Sequence, residues 1–111
     1  MITALRADSQ RLAYLALTNE SWGRAIRLVI VDERFSPFNL TGFSVSITVQ
    51  KFAAPGVLFT KPLTVIDAAG GVVEFVPDGR DFAGPGLYAA RIVLENPDVR
   101  IETAEFPISV L

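Results

Sequence analysis

The chain contains neither cysteine nor histidine. Without cysteine there is no disulfide framework and no thiol chemistry. Without histidine as well, imidazole bases, nucleophilic triads and the usual zinc sites are excluded. Long apolar runs are also missing. The longest clusters, such as Leu28-Val29-Ile30-Val31, are strand-sized, against the ~20 residues of a membrane span. Positive charge is scarce: 10 basic residues face 12 acidic ones, net −2, the wrong sign for a nucleic-acid binder. The N-terminal residues lack the basic start and apolar run of a secretory signal. Gly70-Gly71 and Gly84-Pro85-Gly86 lack the lysine and following helix of a phosphate-binding loop.

What remains is apolar and extended. Half of the 111 residues are hydrophobic and the mean hydropathy is +0.41. A domain this long buries roughly 65% of its unfolded surface, enough for a self-sufficient core. The apolar surplus fits either protein–protein interfaces or a strongly apolar core in a heat-adapted protein. Eight of the ten basic residues are arginine, a type enriched at interfaces. Residues 1–35 carry five arginines against four acids, and residues 67–111 carry three against eight. That asymmetry suits head-to-tail contacts, and chance produces it as readily.

The clearest local signal is Phe43-Ser44-Val45-Ser46-Ile47-Thr48-Val49-Gln50, where large apolar and small polar residues alternate. Only a strand puts residues i, i+2 and i+4 on one face. The same period recurs at residues 24–32, 72–76, 86–95 and in the last strand, where Ala104, Phe106, Ile108 and Val110 alternate with polar residues and Pro107. Residues 57–66 are extended, with Pro62 marking an edge strand or a break into two; Pro107 likewise points to an edge. Turn signals fall at Asn39-Leu40-Thr41-Gly42, at Ala53-Ala54-Pro55-Gly56, at Asp67-Ala68-Ala69-Gly70-Gly71 and at Asn96-Pro97-Asp98. A longer crossing loop covers residues 77–85. Residues 12–17 fit a helix capped by Asp8-Ser9 or a first strand, and the β character of the rest favours the strand. Residues 19–23 then form a turn. The expectation is one all-β domain over residues 1–111, an immunoglobulin-like sandwich of about seven antiparallel strands with turns roughly every 8–12 residues. Residues 1–23 are an uncertain arm or first strand.

Candidate roles fall into three groups. Structural positions are Asn39 and Gly42 in their turn, and Gly86 and Tyr88 after the crossing loop. A tyrosine near the start of the penultimate strand of such sandwiches bonds backbone a few residues upstream, which would tie Tyr88 to residues 81–84. Candidate interface residues are Val29, Val31, Leu87 and Val93, opposite the core faces where a solvated sheet carries polar residues. Covering of one sheet by the N-terminal segment is the alternative. Candidate loop contacts are Trp22, Phe35 and Phe38, either an exposed docking or carbohydrate platform or plugs for the sandwich ends. The carboxylate pairs Asp78/Asp81 and Asp32/Glu33 are too sparse for a calcium site or for hydrolysis. The Asn19-Glu20-Ser21 and Asn39-Leu40-Thr41 glycosylation patterns read as chance matches.

The layout resembles the N-terminal domain of phage baseplate upper proteins and related small immunoglobulin-like tail and virion modules. The residues that carry it are the strand ending in Asp32, Asn39-Leu40-Thr41-Gly42 leading into Phe43-Ser44-Val45, residues 67–77, and Gly84-Pro85-Gly86-Leu87-Tyr88. The resemblance spans about residues 24–111 and rests mostly on turn chemistry. It implies a non-enzymatic structural part of a virion, assembled in the host cytoplasm, without cofactor, membrane or nucleic-acid partner. It would contact other virion proteins and itself, as a homo-oligomer such as a trimer. Family members continue into a stalk or further domains, so a separate small virion protein or a piece of a longer one is expected. A capsid decoration protein, or a carbohydrate-binding or adhesin-like module, is the alternative.

Overall fold

Alternation becomes layering in the computed structural model, which describes residues 2–6, 15–17, 25–52, 56–78, 81–82 and 84–110. Ten strands occur among them: β1 (Thr3–Arg6), β2 (Leu15–Leu17), β3 (Ile26–Val31), β4 (Ser44–Lys51), β5 (Phe59–Pro62), β6 (Thr64–Asp67), β7 (Val72–Phe75), β8 (Gly86–Glu95), β9 (Arg100–Glu102) and β10 (Phe106–Val110). One sheet has the order β1-β3-β7-β6; the other has β2-β10-β8-β4-β5, with β9 also paired to β8. All pairings are antiparallel except β10 with β2.

The core lies between the sheets. Leu28 and Ile30 of β3, Val73 and Phe75 of β7, Val45, Ile47 and Val49 of β4, and Tyr88, Ala90, Ile92 and Leu94 of β8 all point into it. Each strand keeps its inward residues at period two. The expected sandwich is therefore present, with a finer division of strands than about seven. Pro62 ends β5, and the buried Leu63 carries the chain from one sheet to the other, its N–H donating to the Val45 carbonyl (2.9 Å). The last expected strand is split into β9 and β10. Between them buried Thr103 keeps the β8 ladder closed: its Oγ1 accepts from Ile92 N (2.9 Å) and donates to the Ala104 carbonyl (3.1 Å).

Two sequence expectations change. β1, which carries no strong alternation, pairs with β3 across Thr3–Val31 to Arg6–Leu28. Strand β10 is not an edge, although Pro107 sits in it: β8 flanks one side, and Leu15–Leu17 of β2 add to the other along Ile108–Val110. Residues 12–17 are described only at Leu15–Leu17, which are strand. The turn expected at residues 19–23 lies outside the described residues.

The sheet edges on the β5 and β6 side are both protected against unplanned pairing. β5 ends on a proline, and β6 carries a register shift between Val65 and Asp67; such irregularities blunt an edge.

Candidate assembly surface

The crossing loop between β7 and β8 is held by two fixtures. Tyr88, 1% exposed, donates its hydroxyl hydrogen to the Gly84 carbonyl at 2.6 Å. The bond falls within the 81–84 stretch, and Gly84 and Gly86 on either side of Pro85 take φ of 139° and 147°. The Tyr88 ring also stacks edge-on with Phe82 at 4.9 Å, and Phe82 with Phe59 at 5.5 Å. Tyr88→Phe keeps this packing and loses one hydrogen bond. It is expected to lower stability by about 1 kcal/mol in a chemical denaturation series, and an unchanged midpoint would show that the bond contributes nothing.

The second fixture is Lys61 on β5. Its ammonium binds Asp81 Oδ2, lies 3.3 Å from the Val76 carbonyl and sits 5.9 Å from the centroid of the Phe75 ring. Asp81 Oδ2 also accepts from Asp78 N at 2.7 Å. The Asp78/Asp81 pair thus braces the loop, with a lysine cation already on one of its carboxylates. Among the described residues no three metal-ligating side chains converge.

At the other turns, Asn39 Oδ1 accepts from Thr41 N (3.0 Å) and Thr41 Oγ1 (2.7 Å). Phe43 N donates to the Leu40 carbonyl (3.0 Å), with Gly42 at φ 83° in the third turn position. This is the arrangement of a type II turn, in which glycine is needed at that place.

The four outer-face residues do not make one surface. Sheets stacked by their inner faces turn their outer faces in opposite directions, so Val29 and Val31 lie on one side of the sandwich and Leu87 and Val93 on the other. Two of them are also covered within the chain. Val31 is 4% exposed, opposite Thr3 of β1 and bridged to Pro37. Val93 is 5% exposed, between Ser46 of β4 and Glu102 of β9, beside Arg91 as it pairs with Glu102 (3.6 Å) and Glu105 (3.5 Å). Where β4 and β9 flank the central strand, even its outward Val93 is hidden. Val29 and Leu87 remain half-buried.

The loop aromatics separate too. Phe38 packs against the core, its ring 6.3 Å from Phe43, whereas Phe35 is 67% exposed. Trp22 lies outside the described residues. Phe35 and Phe38 therefore do not form the shared flat platform that stacking on a sugar requires.

Sequence reasoning missed several exposed apolar side chains: Ile66, Val76 and Val99 stand apart, whereas Phe52, Val57 and Leu58 gather at the β4–β5 hairpin. Phe52 N bonds the Leu87 carbonyl (3.1 Å), and Leu58 N bonds that of Val49 (2.8 Å). Both ends of the hairpin connection are thus pinned, next to Leu87. The available signal was a turn, Ala53-Ala54-Pro55-Gly56, bordered by large apolar residues where polar ones normally sit.

This two-sheet arrangement and these turns can be set against known proteins. The model of the BppU (baseplate upper protein) N-terminal domain matches residues 14–111. The chain belongs to this family. As a BppU N-terminal domain it is a structural module of the phage baseplate. The match begins ten residues before the stretch in which the sequence resemblance is readable. Among solved structures, the N-terminal domain of phage TP901-1 ORF48 is similar at a TM-score of 0.70 and 19% identity, covering 88% of this chain and 84% of that one; the two share a fold. A DUF4784 family protein from Bacteroides caccae (TM-score 0.48, 10% identity, 98% of this chain and 23% of that one) and murine CRIg (0.46, 13%, 99% and 96%) are more distant. No curated protein matches the chain by sequence.

Proposed function

We propose that this domain is a non-enzymatic assembly module of a phage tail baseplate, holding neighbouring copies or other virion proteins in place. Membership of the BppU N-terminal family over residues 14–111 carries the reading. The physical character of the described surface supports it. Apolar side chains are exposed at the β4–β5 hairpin and at Phe35, among others, while Asp81 and Tyr88 are engaged in bracing the crossing loop. Such a surface suits contact with other proteins better than chemistry on a small substrate. A closed oligomer such as a trimer is compatible with one polypeptide presenting unlike contact sites.

Immunogold labelling of purified virions with an antibody to this chain tests the reading. Label at the tail tip is expected. Label over the capsid would favour the decoration role instead, and virions without label would remove the structural role altogether.

A further inference from the structure

The loop after β3 holds one residue in a backbone conformation that its type resists. Asp32 closes the loop on itself: its Oδ1 accepts from Arg34 N (2.8 Å) and Ser36 N (3.1 Å), and its own N–H donates to the Ser36 carbonyl (2.9 Å). Phe35 N donates to the Asp32 carbonyl (3.0 Å), and Phe38 N returns to that of Ile30 (2.8 Å). Within this tight ring Phe35 takes φ 60°, the one positive value at a non-glycine among the described residues. Glycine and asparagine adopt that region readily; a bulky aromatic does not. The ring gains no burial in return, being 67% exposed. An aromatic kept in a strained turn and turned to water is placed for something outside the chain.

Beside it lies an open surface depression of about 360 Å³ lined by Ile2, Asp32, Glu33, Arg34 and Phe38. Phe35 does not line it. Its lining combines the apolar side chains of Ile2 and Phe38 with charges of both signs. A projecting aromatic next to a partly apolar depression suits a two-fold contact, since the same patch then serves both partners. The charges agree with it: a two-fold axis through this loop would bring Arg34 of one copy towards the acidic Asp32–Glu33 side of the other.

We propose that this loop is a self-complementary contact on which a second copy of the chain docks, Phe35 of the partner subunit entering the Ile2–Phe38 depression. The proposal deepens the assembly reading by naming one partner and its residues. A contact of one loop falls well below the ~800 Å² per partner of a stable interface. It is therefore weak between free molecules and gains strength where a particle holds many copies close together.

The test is a sedimentation-equilibrium series from micromolar to millimolar protein, with 1H–15N spectra over the same range. Wild type is expected to associate reversibly, with concentration-dependent shifts centred on Ile2 and residues 32–38. Phe35→Gly should weaken association at least tenfold while leaving the melting temperature equal or raised. Arg34→Glu should also weaken it, and the Glu33→Arg/Arg34→Glu double variant should restore it. A wild type that stays monomeric to millimolar concentration, shifts centred elsewhere, or a Phe35→Gly protein that associates like wild type would each overturn the proposal. A lowered melting temperature in Phe35→Gly would overturn its strain argument. Monomeric protein together with tail-tip label in the virion would remove only this pairing and leave the assembly role standing.

Discussion

Gly71→Ala is expected to destabilise the domain by about 3 kcal/mol, combining left-handed strain and overpacking that each cost roughly 1–3 kcal/mol. Gly71 takes φ 71° where the β6–β7 connection meets the end of β3. Its carbonyl accepts from Ile30 N (2.8 Å), and its N–H faces the Ala68 carbonyl (3.3 Å). A Cβ here would stand 2.6 Å from the Ile30 carbonyl oxygen and 2.9 Å from that of Phe38. Both are backbone atoms, fixed by the Ile30–Gly71 and Phe38–Ile30 hydrogen bonds, so neither can turn aside as a flexible side chain would. Gly42 provides the control. Its φ of 83° carries a similar backbone penalty, but a Cβ there meets nothing within 4 Å. Gly42→Ala should therefore cost only about 1–2 kcal/mol. Urea denaturation of the two variants measures the difference directly. Equal losses would mean that β3 and the Phe38 backbone do not approach Gly71 so closely. Against a total stability of roughly 5–15 kcal/mol, the Gly71 substitution threatens folding itself, and a soluble-yield assay would register it first.

Leu40→Ala is expected to cost about 2–5 kcal/mol, the range for a buried leucine whose cavity cannot fully collapse. Leu40 belongs to a turn, yet it is 1% exposed and part of the core cluster. Its backbone is held on both sides, with Leu40 N donating to the Ala68 carbonyl (2.8 Å) and its own carbonyl accepting from Phe43 N (3.0 Å). Those bonds prevent the turn from sinking into the space left by three lost carbons. The side chain closes one end of the sandwich and joins the 39–42 turn to the β6–β7 connection. Thermal or urea unfolding of Leu40→Ala checks this, and a loss under about 1 kcal/mol would show an end that relaxes around the void. Thr41→Ala in the same turn is exposed and should do far less.

These two positions mark where sequence reading succeeds and where it stops. Asn39-Leu40-Thr41-Gly42 reads as a turn because its flanking residue types have local reasons to be there. Asparagine accepts from a backbone N–H two residues on, and glycine takes positive φ. Nothing local says that the leucine between them is buried, since a turn has no period from which a face can be inferred. Likewise, the alternation in β4 and β8 correctly marks Val45, Ile47 and Val49, and Tyr88, Ala90, Ile92 and Leu94, as inward residues. The same alternation marks Val31 and Val93 as outward, which they are, but outward is not exposed. Their burial comes from strands that neighbour them in the sheet, and neighbours are set by topology. Phe35 and Phe38 show the limit again: two aromatics three residues apart, one strained and exposed, the other packed on the core.

From the amino-acid sequence alone came the β class, the turn positions, the break at Pro62, the tyrosine set to hold the crossing loop, and the exclusion of histidine and cysteine chemistry. Each rests on a property of a residue or of a period of two, and both act over a few neighbouring positions. Tertiary structure alone decided the pairing of β1 with β3, the parallel addition of β2 to β10, the near-contact at Gly71 and the exposure of the apolar residues Phe52, Val57 and Leu58 around the β4–β5 hairpin. Those depend on which distant segments meet, and hydrogen-bonded sheets bring together residues whose separation along the chain leaves no periodic trace.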